Sequence, residues 1–79
     1  MITMQHLTEM IRLGTQVQLE GIIDTTEPNH RILKLDHDSN RIILVDLSSG
    51  LELRLDWEHL DQESSHYDQD QNEACLRIQ

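Results

Sequence analysis

Two alternating apolar runs, separated by three turn residues, constrain this chain more than anything else in it. Residues 41–60 read RIILVDLSSGLELRLDWEHL. In the second run Leu51, Leu53 and Leu55 alternate with Glu52, Arg54 and Asp56. That period of two belongs to a strand with one buried face. The first run, Arg41 to Leu47, is apolar on both faces, with Ile43, Val45 and Leu47 on one and Ile42 and Leu44 on the other. A strand covered on both sides is central in its sheet. Ser48-Ser49-Gly50 between the runs predicts a tight hairpin, with Ile43, Val45, Leu47, Leu51, Leu53 and Leu55 forming the core.

The remaining elements arrange themselves around this hairpin. Residues 3–13, TMQHLTEMIRL, predict a helix with Met4, Leu7, Met10 and Ile11 as its apolar stripe, Thr3 as N-cap and Gly14 as its left-handed stop. So short a helix must dock on the sheet, and the second face of the central strand is the surface that needs it. Thr15 to Asp24 predicts a strand through Val17, Leu19 and Ile23, with Gly21 permitting a bend or bulge. Pro28 and Asn29 mark a loop over residues 25–29. His30 to Asp36 predicts the next strand, with Leu33 and Leu35 on one face and Ile32 on the other. Residues 37–40 form a turn. Asp56 to Asp61 predicts a 3₁₀ turn that folds Trp57 or Leu60 against the end of the barrel. Residues 62–73, QESSHYDQDQNE, lack an apolar pattern and predict a solvated acidic loop or a partly disordered linker. Ala74, Leu76 and Ile78 alternate again and predict a closing edge strand over 74–79.

Seventy-nine residues make a single domain. The expected fold is mainly β: a small SH3-like or Sm-like barrel of four or five antiparallel strands with one N-terminal helix, its barrel core spanning residues 15–60. An OB-type barrel is the rival, but it places a helix between its third and fourth strands, where this chain has only Ser48-Ser49-Gly50. One cysteine, Cys75, excludes an internal disulfide. The N-terminal MITMQHLTEM has no basic segment leading into an apolar run, and no apolar stretch approaches the length of a span. A cytosolic location away from membranes is the expectation.

The formal charge is −9, from 15 acidic and six basic residues. It is unevenly placed. Residues 1–54 hold eight acids and five bases, whereas residues 55–79 hold seven acids and Arg77 alone. Such a surface repels phosphate, which argues against direct nucleic-acid binding. With one Trp, one Tyr and no Phe, the chain also lacks aromatics for base stacking. It attracts basic protein surfaces instead. The candidate partner-binding residues are Asp56, Glu58, Asp61, Glu63, Asp68, Asp70 and Glu73, with Trp57 as an apolar anchor. The plainer alternative is that the charge keeps a small protein soluble.

Catalytic and metal motifs are missing. Asp68, Asp70 and Asn72 match the first three ligand positions of a calcium loop. Glu73 then stands where glycine is required and Gln79 where a bidentate glutamate is required. His59, His66 and Asp68 lack the paired close spacing of a zinc site. Asp36-His37-Asp38 reads as a turn. Cys75 has no neighbouring base, and Gly14, Gly21 and Gly50 are too scattered for a phosphate loop. No cofactor and no enzymatic activity are expected.

The segment 41–60, chiefly the strand-turn-strand ending in LELRLD, resembles the Rof family of small bacterial inhibitors of the termination factor Rho. The helix ahead of the first strand is similar too. The first hairpin and residues 62–73 depart from that family. The resemblance implies an N-terminal helix on an Sm-like barrel, and an acidic face that occupies the RNA-binding site of a protein such as Rho. Three other functions remain open on the residues alone: a nucleic-acid mimic from a mobile element, an assembly subunit joined through a barrel edge strand or an outer face bearing Ile22, Ile42 and Leu44, and a metal-binding accessory protein. Neither the partner nor the oligomeric state is fixed by the sequence.

Overall fold

A computed structural model describes all residues, Met1–Gln79. The helix α1 spans Met4–Leu13. Its start is a capping box: the Thr3 hydroxyl accepts from the His6 amide, and the Thr3 amide donates to His6 Nδ1, a histidine taking the place of the usual Glu or Gln. Gly14 ends it at φ 63°. Leu7 and Met10 are buried from this stripe, joined by Ile2 from the turn before it, while Met4 is exposed.

Six strands follow: β1 (Gln16–Gly21), β2 (His30–Asp36), β3 (Arg41–Asp46), β4 (Glu52–Asp56), β5 (Leu60–Asp68) and β6 (Glu73–Ile78), with a 3₁₀ turn at Trp57–His59. They form one mixed sheet in the order β4-β3-β2-β1-β6-β5. β1 and β6 run parallel and every other neighbouring pair is antiparallel. One core draws on the helix and all six strands, including Leu7, Leu19, Ile32, Leu44, Leu55, Leu60 and Leu76. The expectation of a closed barrel with four or five antiparallel strands is therefore corrected: the protein is mainly β with one helix, but it has six strands and a parallel pair.

The extra strand lies where an acidic loop was expected. Residues 62–73 include most of β5 and its hairpin to β6. Their apolar pattern is weak because β5 is a bulged edge strand. It pairs with β6 at Leu60–Asp61 and again at His66–Asp68, and between these points four residues of β5 stand opposite Leu76 alone. Such an insertion breaks period two. β6, expected at an edge, lies inside the sheet between β1 and β5.

Two further corrections concern faces. The β3–β4 loop is four residues long, Leu47–Gly50, closed by the Gly50 amide on the Asp46 carbonyl and the Asp46 amide on the Leu51 carbonyl. Ile42 consequently pairs with Leu55 and Leu44 with Leu53, and directly opposed residues share a face. A three-residue loop would have set Leu47 opposite Leu51. The single added residue exchanges the faces of β3: Ile42 and Leu44 join the core and Leu47 is 45% exposed, while Ile43 stays buried on the other face and Leu51, on the same face as buried Leu55, is 71% exposed at the end of the loop. In β2 a bulge at Leu33 moves the register from Ile32–Leu44 to Leu35–Ile42. Ile32 is buried and Leu33 exposed. The outer face proposed for assembly through Ile22, Ile42 and Leu44 does not exist as a unit, since only Ile22 is exposed.

Gly21 sits at φ 107°, and a Cβ there would collide with the Ile78 carbonyl of the adjacent β6. The Ile22 amide donates to that same carbonyl at 3.0 Å. Gly21→Ala is expected to cost about 1–3 kcal/mol from the forced backbone conformation alone, read as a lower urea midpoint. A change below about 0.5 kcal/mol, the scatter of ordinary surface substitutions, would contradict this close approach.

Candidate acidic interface

β5 and the turns at its two ends carry the acidic residues singled out by the sequence. They form two groups rather than one patch. Asp56, Trp57, Glu58 and Asp61 gather around the 3₁₀ turn, and Asp68, Asp70 and Glu73 around the β5–β6 hairpin. Glu63 lies between, on the bulge. The bulged β5 places the groups beside Ile78 at one end and Glu73 at the other, five residues apart on β6, or roughly 17 Å.

Within each group some carboxylates are committed to the fold. Asp56 Oδ1 accepts from Arg41 Nε at 2.9 Å across the β3–β4 pair, with His59 Nδ1 4.0 Å from its other oxygen. Asp61 accepts from the Ser64 amide at 3.2 Å. Asp68 accepts from the amides of Asp70 and Gln71 and shapes the hairpin turn. Trp57 is half-buried against the core, and its amide donates to the Asn40 carbonyl. Glu58, Glu63, Asp70 and Glu73 are exposed, and their carboxylates have no side-chain or backbone donor within the protein. These four are the free charges of the set.

The basic residues nearby do little to offset them. Arg77 reaches Glu20 at 3.8 Å, Arg41 serves Asp56 and Arg12 serves Glu9. Asp68 and Glu73 face each other directly across β5 and β6. Opposed like charges destabilise a ladder, so this pair favours any arriving cation. Beside it lies a shallow depression of about 190 Å³ lined by Gln18, Pro28, His66, Asp68, Glu73, Ala74 and Cys75. Burial and the Glu20 carboxylate push the Cys75 thiol up from its ordinary range, which keeps it protonated. No group of three or more His, Cys, Asp or Glu side chains is placed to hold a metal ion.

Two residues that sequence reasoning passed over hold these elements in place. Ser65 is fully buried. Its hydroxyl donates to the Asp61 carbonyl at 2.7 Å and accepts from the Arg77 amide at 2.9 Å, spanning the bulge. Asn72, at φ 53°, donates from Nδ2 to the Leu13 carbonyl and accepts at Oδ1 from the Thr15 hydroxyl, which ties the β5–β6 turn to the end of α1. The signal for Ser65 lay in the spacing of Asp61 and Ser64-Ser65, an Asx-type turn. Asn72 showed only as the third position of an incomplete calcium-loop match.

Comparison of the chain with models of protein families, with curated proteins and with solved structures returns no match. No helix is long and apolar enough to cross a membrane.

Ser65→Ala would leave the Arg77 amide without its acceptor. The expected cost is about 1–3 kcal/mol, measurable by urea unfolding, and an unchanged midpoint would show that the hydroxyl does not hold the bulge. A second expectation concerns acid. Ser39, Ser48 with Ser49, and Ser64 donate to Asp36, Asp46 and Asp61 and hold those carboxyls below their ordinary value of 3.8. Groups with depressed folded pKa values stabilise fully above the unfolded value and lose that contribution as pH falls through the folded value. Stability should therefore drop below about pH 4, and Asp61→Asn should flatten that drop by up to about one proton. An equally steep acid limb in the variant would remove Asp61 from this role.

Proposed function

We propose that this chain is a non-enzymatic acidic regulator that binds a partner protein and covers its basic, nucleic-acid-binding surface. The observation that carries this reading is the set of free carboxylates Glu58, Glu63, Asp70 and Glu73 along the β5 side, in a stretch whose one cation, Arg77, already lies beside Glu20. Exposed charges of one sign accelerate encounter with a surface of the other sign and fix its register. These four free carboxylates thus substitute for phosphates that the partner otherwise holds, and the turn-bound aspartates of residues 55–79 add to the surrounding field.

The specific form of the reading is Rof-like inhibition of Rho in a cytoplasmic setting. It is supported by the resemblance of residues 41–60 and by the helix ahead of the first strand. An Sm-like ancestry for the six-stranded sheet belongs to the same proposal. A nucleic-acid mimic aimed at a different enzyme would use the same carboxylates.

The test is competition between this protein and single-stranded RNA for purified Rho. Parent protein should displace RNA at low salt and lose that ability as salt rises, because exposed charges are screened within about 8–10 Å near physiological ionic strength. The combined variant Glu58→Gln, Glu63→Gln, Asp70→Asn, Glu73→Gln spares the turn-forming Asp61 and Asp68, so its melting should match the parent. Its competition should weaken at least tenfold, the equivalent of about 1.4 kcal/mol. A folded variant that competes as well as the parent sinks the carboxylate mechanism. Absence of any RNA displacement by the parent sinks the Rho assignment, and low-salt capture of another nucleic-acid-binding protein would redirect it to the mimic.

A further inference from the structure

β4 is an edge strand, and its outer edge carries unpaired backbone groups. The Leu51 carbonyl and the Trp57 amide both turn toward β3, bonding to Asp46 and Asn40. In an antiparallel ladder every second residue turns the same way. Leu53 and Leu55 therefore also bond to β3, opposite Leu44 and Ile42. The N–H and C=O groups of Glu52, Arg54 and Asp56 are left facing outward. β3 is the only element packed extensively beside β4.

Side-chain charge along this edge has an order. Glu52 and Arg54 are exposed, and neither has an oppositely charged side chain within ion-pair distance. Asp56 is already joined to Arg41. A second β4 can bond to the first antiparallel only if outward-facing residues oppose outward-facing residues, which restricts the pairing to steps of two. Setting Arg54 against Arg54 of the second copy opposes like charges and also sets Glu52 against Asp56. Setting Arg54 against Asp56 competes with Arg41 and brings Glu52 toward Glu58 beyond the strand. Setting Leu53 against Leu53 makes two Glu52–Arg54 pairs by symmetry. In that register Leu51, 71% exposed, lies beside Leu55 of the other copy and continues its apolar face.

We propose that β4 is a homodimer edge: two copies join antiparallel about a twofold axis at Leu53, with Glu52 and Arg54 exchanged between them. The contact is isologous, so each charge pair occurs twice. It buries a short edge and opposes two chains of charge −9, which makes it an association of concentrated protein. It uses none of the free carboxylates on the β5 side and does not depend on what those bind.

Sedimentation of the full chain tests it, with loading from about 10 µM to 1 mM to reach millimolar association. The parent should pass from monomer to dimer across that range. Glu52→Arg and Arg54→Glu each place like charges opposite one another, and each alone should associate at least tenfold more weakly. Mixed one to one, they restore both pairs, and the mixture should recover a dimer containing one copy of each. Both are surface changes, and circular dichroism confirms that each variant is folded. A parent that stays monomeric to 1 mM, single variants that associate like the parent, or a mixture that stays monomeric would each overturn the proposal.

Discussion

The parallel pairing of β1 with β6 is the contact on which the rest of this molecule depends. Six consecutive positions are matched from Gln16–Glu73 to Gly21–Ile78. Val17 lies beside Ala74 and Leu19 beside Leu76, and all four are buried. Removing a leucine of this kind from water contributes about 1.5–3 kcal/mol. The pairing joins two antiparallel halves, β4-β3-β2-β1 on one side and β6-β5 on the other, into one sheet. Both ends of it are fastened. Gly21 lets the strands come close at one end, and Asn72 binds the other to the helix terminus through Thr15 and the Leu13 carbonyl.

The helix, its two caps and the positions of five of the six strands were legible in the sequence, because capping residues and period-two alternation act locally. Faces were less legible. Ile42 and Ile43 are both buried, but which of them shares a face with Leu53 and Leu55 depends on whether the β3–β4 loop has three residues or four, and Asp46 accepting from Ser48 and Ser49 decides it. Likewise Leu33 loses its place to a bulge that nothing in HRILKLD announces. β5 was hidden for a different reason. Its irregular stretch is held by a buried serine hydroxyl rather than by apolar side chains, and hydropathy cannot see a hydroxyl that substitutes for a ladder bond. Of the candidate site, the residue identities were readable, but their separation into two groups along β5 was not.

A division of labour between aspartate and glutamate also emerges. Asp36, Asp46, Asp61 and Asp68 each accept from backbone amides two or three residues ahead and so define turns. The short aspartate side chain suits this geometry. Glu58, Glu63 and Glu73 reach into solvent instead. Formal charge therefore overstates the number of carboxylates free to meet a partner, while the turn-forming aspartates still add to the surrounding field.

The position of β6 has a consequence for the protein as it is being made. Gln16 and Glu73 are 57 positions apart, and a ribosome adds about 5–20 residues per second. For roughly 3–11 s at that rate, the first strand of a nascent chain waits with one edge uncovered, while β2, β3 and β4 can already assemble beside it. Gln16, Gln18 and Glu20 alternate with Val17 and Leu19 along that waiting edge. Polar residues on one face of an open strand lower its tendency to capture other chains. Until β6 emerges, the edge of β1 that it covers has no partner within the chain.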